Sequence, residues 1–366
     1  MKFYTNKKIC IILGTRPEII KMSPIIKACK KQKIKFFILH TNQHYSESLD
    51  KIFFKELRLP QAKYNLKIGS GSHAEEVGRM LINIEKILVK ETPNIVLVEG
   101  DTNTVLAGAL AAAKLNIKLG HIEAGLRSYF RKMPEEINRI LTDHCSDFLF
   151  APTKNAKNIL LKEGISSKKI FITGNTIVEA VHQNLKLANK KSKILSRLKI
   201  QKENYFLVTI HRSENVDKIE GLKEILEGLD LIYMRFNLPI IYPVHPRTKK
   251  MIKKFKLRIS KNIKLIEPVG FLDFLKLEAN AKLILTDSGG VQEEACILQV
   301  PCVTLRENTE RPETLEVKGN ILSGCDSRKI LKCVLKMINK KRNWKNPFGS
   351  GDASKKILKL FLKNAK

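Results

Sequence analysis

The chain has 366 residues, 43% of them hydrophobic, and a formal net charge of +31. That length and apolar content point to two globular domains with real cores and away from a single small module. The Lys and Arg residues are spread over polar helix faces such as 27–35, 186–193 and 249–256, and aromatics reach only 7%, so a solvated basic surface is expected, with no nucleic-acid partner. Such a surface still attracts anionic ligands over long range.

The pattern alternates strands and helices from the start. Ile9–Leu13 reads as a short apolar strand ending at Gly14, and Pro17-Glu18 opens a helix through Ile26. Strands follow at 36–39 and 94–98, then a helix over Val105–Lys114 and a strand at Lys118–Ile122. Another helix starts at Pro134, with strands at Phe148–Phe150 and Ile170–Ile172. Continuous apolar strands spaced by helices imply a parallel sheet covered on both faces. After Val178–Leu187 comes a polar, Lys-rich stretch, 188–204, expected to be a linker. The pattern restarts with strands at 205–210, 239–242, 263–266, 282–285 and 301–305. The expected fold is therefore α/β, with two Rossmann-like, doubly wound parallel-sheet domains at 1–187 and 205–351. A last helix over Ser354–Leu362, in the segment 352–366, is expected to pack back on the first.

The seven cysteines show no C-x-x-C pair and no metal-ligand spacing, and several lie inside apolar runs. That suits a reduced, cytoplasmic protein. Met1–Lys8 is short and polar and no apolar run reaches the length of a membrane span, so neither a secretory leader nor a membrane partner is expected.

Ligands of such folds bind at the carboxyl ends of the strands. The polar residues there are Gly14-Thr15-Arg16-Pro17-Glu18 with Lys21, Gly100-Asp101, His121 to Arg127, His211-Arg212, His245-Pro246-Arg247 and Asp287-Ser288-Gly289-Gly290. Thr286 to Ala295 reads as buried strand, Ser-Gly-Gly turn and helix. Helix-start N–H groups and the dipole favour an anion, and paired glycines allow close approach. Ser288, Gly289 and Gly290 are thus candidates for a diphosphate, with Glu294 placed to accept from sugar hydroxyls; the alternative is an ordinary turn capped by Asp287 or Ser288. Arg16 and Lys21 are placed to meet phosphate or developing negative charge. Asp101 reads equally as a helix cap, Glu135 as an acid complementing a helix dipole, and His121 as a buried, satisfied histidine. Glu123, a carboxylate just past a buried strand, has little structural reason to be there. No G-x-G-x-x-G, zinc spacing or G-x-S-x-G elbow occurs, so nicotinamide, zinc and serine-hydrolase signatures are absent. Carboxylates, imidazoles and cations around a diphosphate cradle suit acid–base chemistry on a nucleotide-linked substrate.

These motifs, together with Pro134-Glu135-Glu136-Ile137-Asn138-Arg139, Pro243-Val244-His245-Pro246 and Thr309-Glu310-Arg311-Pro312-Glu313, occur in the order that marks the non-hydrolysing UDP-N-acetylglucosamine 2-epimerases. The chain resembles that family from about residue 8 to Asn346-Pro347-Phe348-Gly349. The resemblance implies a GT-B fold with an interdomain active site, and interconversion of UDP-GlcNAc and UDP-ManNAc by elimination and re-addition of UDP through a 2-acetamidoglucal, without nicotinamide or metal cofactor. It makes Asp101, Glu123 and Glu135 the catalytic carboxylates and sets His211 at the leaving diphosphate. Arg16, Lys21, Ser288, Gly289, Gly290, Glu294 and Arg311 would bind substrate, and Phe274 would pack on uracil. It further implies a homodimer, a product for polysaccharide biosynthesis, and in some members a second UDP-GlcNAc as activator, for which Gln43, His44 and His245 are the candidates. The rival readings are a hydrolysing relative, a GT-B glycosyltransferase needing an acceptor, and a silent UDP-sugar sensor.

Overall fold

The computed structural model describes residues 7–42 and 53–364. The chain forms two compact units, one running to Ala180 and resuming at Phe348, the other comprising Val181–Pro347.

The first unit is built on a seven-stranded parallel sheet in the order β3-β2-β1-β4-β5-β6-β7. Its strands are β1 (Lys8–Leu13), β2 (Lys35–His40), β3 (Tyr64–Asn65), β4 (Ile95–Glu99), β5 (Lys118–Ile122), β6 (Phe148–Ala151) and β7 (Ile170–Ile172). Between them lie α1 (Arg16–Lys31), α2 (His73–Glu91), α3 (Asn103–Lys114), α4 (Pro134–Cys145) and α5 (Lys154–Lys162), and α6 (Thr176–Lys191) leads out of the unit. Alternate strand residues face opposite ways: Cys10, Ile12, Val96 and Val98 join one core with Met80, Ile84 and Leu88 of α2. The central strands are buried along β4 and, past Lys8, along β1, as a sheet covered on both faces requires.

The second unit holds a six-stranded parallel sheet in the order β10-β9-β8-β11-β12-β13. Its strands are β8 (Phe206–Thr209), β9 (Ile240–Pro243), β10 (Ile263–Ile266), β11 (Leu283–Thr286), β12 (Cys302–Thr304) and β13 (Asn320–Leu322). The helices are α7 (Ile194–Leu198), α8 (Ser213–Val216), α9 (Ile219–Phe236), α10 (Pro246–Lys254), α11 (Phe271–Asn280), α12 (Gly289–Ile297), α13 (Pro312–Glu316) and α14 (Ser327–Met337). Phe206, Val208, Leu283 and Leu285 enter one core. Leu207 and Ile284, of opposite parity, enter the other.

The segment 188–204 is not a free linker. The pattern of its apolar residues shows why: α6 continues to Lys191, and Ile194 and Leu198 of α7 are buried in the second unit's core. The divide falls earlier, after Ala180, and the chain rejoins the first unit at Phe348. There α15 (Ala353–Asn364) packs against α1, and Ser354 donates to Glu179 through both its N–H and its hydroxyl.

Each sheet reverses its strand order once, between β1 and β4 in the first unit and between β8 and β11 in the second. A crevice opens at the carboxyl edge wherever neighbouring crossovers diverge in this way. Arg16 and Asp101, which follow β1 and β4, flank the first point, and His211 and Ser288, which follow β8 and β11, flank the second.

Candidate active site

In the first unit the chain leaves β1 through Gly14 and enters α1. A Cβ on Gly14 would lie 2.0 Å from Thr41 Oγ1 and 2.3 Å from Thr104 Oγ1, so glycine is demanded by close packing. Thr15 and Glu18 form a capping box. The Glu18 carboxylate accepts from the N–H groups of Gly14 and Thr15 and from the Thr102 hydroxyl. Burial pushes its pKa up to about 7, against the pull of those hydrogen bonds.

One turn on, the buried Lys21 ammonium sits 2.7 and 2.6 Å from the two oxygens of Glu123. Glu123 follows β5 with φ of 73°, in the left-handed region that favours glycine. A glutamate held there carries backbone strain, which persists only where the surroundings fix it. They do: the backbone N–H of Glu123 donates to Phe150 O, and Asn175 Nδ2 donates to its Oε1 at 3.1 Å. Glu99, the last residue of β4, completes the cluster, with Oε1 3.5 Å from Lys21 Nζ. Burial, reinforced by the neighbouring Glu123, raises the Glu99 pKa well above the carboxylate range, although Lys21 opposes this.

Asp101, two residues past β4, is not the cap of α3; Thr102 takes that place and accepts from Val105 N–H. Its carboxylate instead receives Arg139 Nε and Nη2 at 3.0 and 2.6 Å on one oxygen. It keeps about 30% of its side chain exposed. Glu135 is half-buried on the first turn of α4. Its neighbour Glu136 is buried and committed, accepting from Ser128, Tyr129 and Arg139. Arg16 lies over the Phe53 ring at 5.4 Å.

His121 is a satisfied core histidine. Its Nε2 donates to Gly100 O at 2.9 Å, and Nδ1 meets Asp143 Oδ1 at 2.7 Å. Asp143 is held below the usual carboxylate range, because His121 and Arg127 outweigh the cost of its burial.

In the second unit, fully buried Asp287 ties the ends of β8 and β11 together. It accepts from the N–H groups of His211 and Arg212 and from Asn215 Nδ2. The His211 ring Nδ1 lies 3.1 Å from Asp287 Oδ1. Burial would raise the Asp287 pKa, but His211 and the backbone N–H groups hold it below normal. The arrangement fixes the imidazole by one nitrogen and leaves the side chain 38% exposed. Asp287 therefore does not cap α12, and neither does the Ser288 side chain. The N-terminus of α12 begins at Gly289, where a Cβ would come within 2.3 Å of Glu310 Oε1. Glu310 is itself paired to Arg306 at 2.9 Å and Arg212 at 3.5 Å.

Farther along α12, Glu293 is ion-paired with Arg311 at 2.9 Å, both buried. Glu294 faces the fully buried Glu278 of α11. Burial and the Glu294 carboxyl raise the Glu278 pKa well above normal. Phe274 is partly buried and packs, like Ile266 and Val269, against the core that holds Leu277 and Ile284. His245 caps α10 through its own ring nitrogen, with its ring centroid 5.6 Å from that of His211. Gln43 and His44 lie outside the described residues.

The sequence reading missed Glu99, Asn175 and Glu278 and gave Arg139 no role. Glu99 had a signal: an acid closing an apolar strand beside Gly100-Asp101. Asn175 and Glu278 had none, since their partners are 52 residues away and on a separate helix, respectively.

Residues 27–362 match the family model for UDP-N-acetylglucosamine 2-epimerase. A protein of that name from Methanocaldococcus jannaschii is 61% identical over 359 residues, covering 96% of this chain and 98% of its own. The crystal structure of a Methanocaldococcus jannaschii UDP-GlcNAc 2-epimerase with UDP-GlcNAc and UDP matches with a TM-score of 0.93 at 61% identity, covering 98% of this chain and 100% of that one. The Neisseria meningitidis UDP-GlcNAc 2-epimerase bound to UDP-GlcNAc matches with a TM-score of 0.89 at 36% identity, over 98% and 100% of the two chains. The two parallel-sheet domains are those of the GT-B-like fold.

Proposed function

The chain belongs to the UDP-N-acetylglucosamine 2-epimerase family, and from that premise we propose that it interconverts UDP-GlcNAc and UDP-ManNAc by the non-hydrolysing route. A carboxylate removes the C2 proton while the C1–O bond to UDP breaks, leaving a 2-acetamidoglucal. A proton is then delivered to the opposite face of C2, and UDP re-forms its bond to C1. Atoms balance without water, metal or redox cofactor.

The observation that carries this reading is the buried Lys21–Glu123 pair, on a strained residue just past β5, the strand that pairs with β4. The C2 proton is weakly acidic, so its loss needs a positioned carboxylate and a stabilised leaving group. Asp101, Glu123 and Glu135 take the proton-transfer roles, undivided between acid and base. His211, oriented by Asp287, meets the charge developing on the departing diphosphate, with Arg16, Lys21 and Arg311 as further cations. Ser288, Gly289 and Gly290 hold phosphate at the start of α12, Glu294 takes the ribose hydroxyls and Phe274 lies against uracil. The same reading takes the chain as a cytoplasmic homodimer. It admits a second UDP-GlcNAc as activator, acting through His245.

The test separates chemistry from binding. Asp101→Asn and Glu123→Gln are expected to lower kcat about a hundredfold or more with UDP affinity changed by less than about threefold. Near-wild-type turnover in both carboxamide variants removes the assignment.

A further inference from the structure

Glu99 closes β4 with its side chain 2% exposed. The charged groups facing it are Lys21 and Glu18 from α1 and Glu123 from the end of β5. On its own strand end, Asp101 is turned to Arg139, and His121 of β5 donates to Gly100 O. One ammonium thus serves two buried carboxyls. Were both ionised, two carboxylates would face each other across Lys21 in a site away from water, which is costly. A single proton on either carboxyl removes that cost.

The geometry decides which one carries it. Lys21 makes two short contacts to Glu123, at 2.6 and 2.7 Å, against 3.5 Å to Glu99. Asn175 also donates to Glu123. Glu99 Oε1 receives no hydrogen bond among the described residues. Glu123 has the partners of a carboxylate, and Glu99 has those of a neutral acid.

We propose that Glu99 is a positioning residue that stays protonated through turnover, donates its O–H to the Glu123 carboxylate, and so fixes the orientation and basicity of that group. This rests on Glu123 being a proton-transfer residue, as proposed above. Glu99 itself does not exchange a proton with the sugar. Its ionisation at high pH removes the hydrogen bond, sets two carboxylates against each other across Lys21, and disables Glu123.

The experiment is the pH dependence of kcat for UDP-GlcNAc epimerisation by wild type, Glu99→Gln and Glu99→Ala, with infrared difference spectra of the unliganded proteins over the same pH range. Glu99→Ala is expected to lose kcat about tenfold or more with KM changed less. Glu99→Gln, whose amide donates the same hydrogen bond, restores most of that loss and moves the alkaline limb of the profile upward by about one pH unit or more. The wild-type spectra should show a neutral carboxylic C=O stretch that fades as pH rises and is missing in Glu99→Gln. A Glu99→Gln protein as inactive as Glu123→Gln, an unmoved alkaline limb, or neutral-acid absorption that is identical in wild type and Glu99→Gln, and so belongs wholly to other buried carboxyls such as Glu18 and Glu278, overturns the proposal. The spectra need no turnover, so a wild type inactive on UDP-GlcNAc counts against the function while the site of the proton is still decided.

Discussion

Asp287→Asn tests how the second unit orients its imidazole. The carboxylate receives four donor groups: the N–H of His211, the N–H of Arg212, Asn215 Nδ2 and His211 Nδ1. An asparagine oxygen offers two lone pairs, so it can retain about two of the four, while its NH2 faces the others. Hydrogen bonds to a charged group contribute roughly 1.5–3 kcal/mol each, so losing two costs about 3–6 kcal/mol of stability. The substitution also inverts His211. Its Nδ1 must accept from the new amide where it now faces a carboxylate. With His211 acting on the departing diphosphate, kcat should fall by about 10- to 100-fold beyond any change in KM. Urea unfolding and steady-state kinetics on the same preparation measure both quantities. A variant within about 1 kcal/mol and twofold of wild type would refute the anchoring role.

Two further outcomes follow from the packing. Gly289→Ala places a Cβ 2.3 Å from Glu310 Oε1, which Arg306 and Arg212 hold in position. The clash should cost about 1–3 kcal/mol and weaken UDP binding, read by calorimetry, while unchanged affinity and Tm would show that Glu310 gives way freely. Glu18 has a folded-state pKa of about 7, raised above its ordinary carboxylate value by burial. The folded state therefore binds the extra proton, and this contribution to stability is lost as pH rises from the ordinary carboxylate range through about 7. Glu18→Gln should show a smaller fall in Tm between pH 5 and pH 8 than wild type, and parallel Tm curves would contradict it.

The fold was legible where burial writes itself into composition. Runs such as Ile9–Leu13 and Lys282–Leu285 are apolar because both faces of each sheet are covered, and they mark β1 and β11 to within a residue or two. Short edge strands carry no such signal: β3 is two residues long and β13 three, with part-exposed side chains. Helix α2 did have one, the Ser72–Glu75 capping box before an apolar-periodic stretch. The polar 188–204 stretch hid α7, whose two buried residues, Ile194 and Leu198, sit among lysines and serines.

In the sites, residues at strand ends could be read because topology brings strand ends together. The positions of Glu123, Asp101 and His211 just past β5, β4 and β8 could be read that way. What holds them could not. Arg139 reaches Asp101 across 38 residues and Asp287 reaches His211 across 76. Those pairings depend on which strands are neighbours, and strand order is not written in local spacing.

The central claim is proton exchange at C2 with return of UDP. Proton NMR of the chain with UDP-GlcNAc in heavy water, without added metal, nicotinamide or acceptor, tests it most directly. The account predicts UDP-ManNAc carrying deuterium at C2, with no free sugar accumulating. Free ManNAc with UDP, or UDP-ManNAc that keeps its original C2 proton, would contradict it.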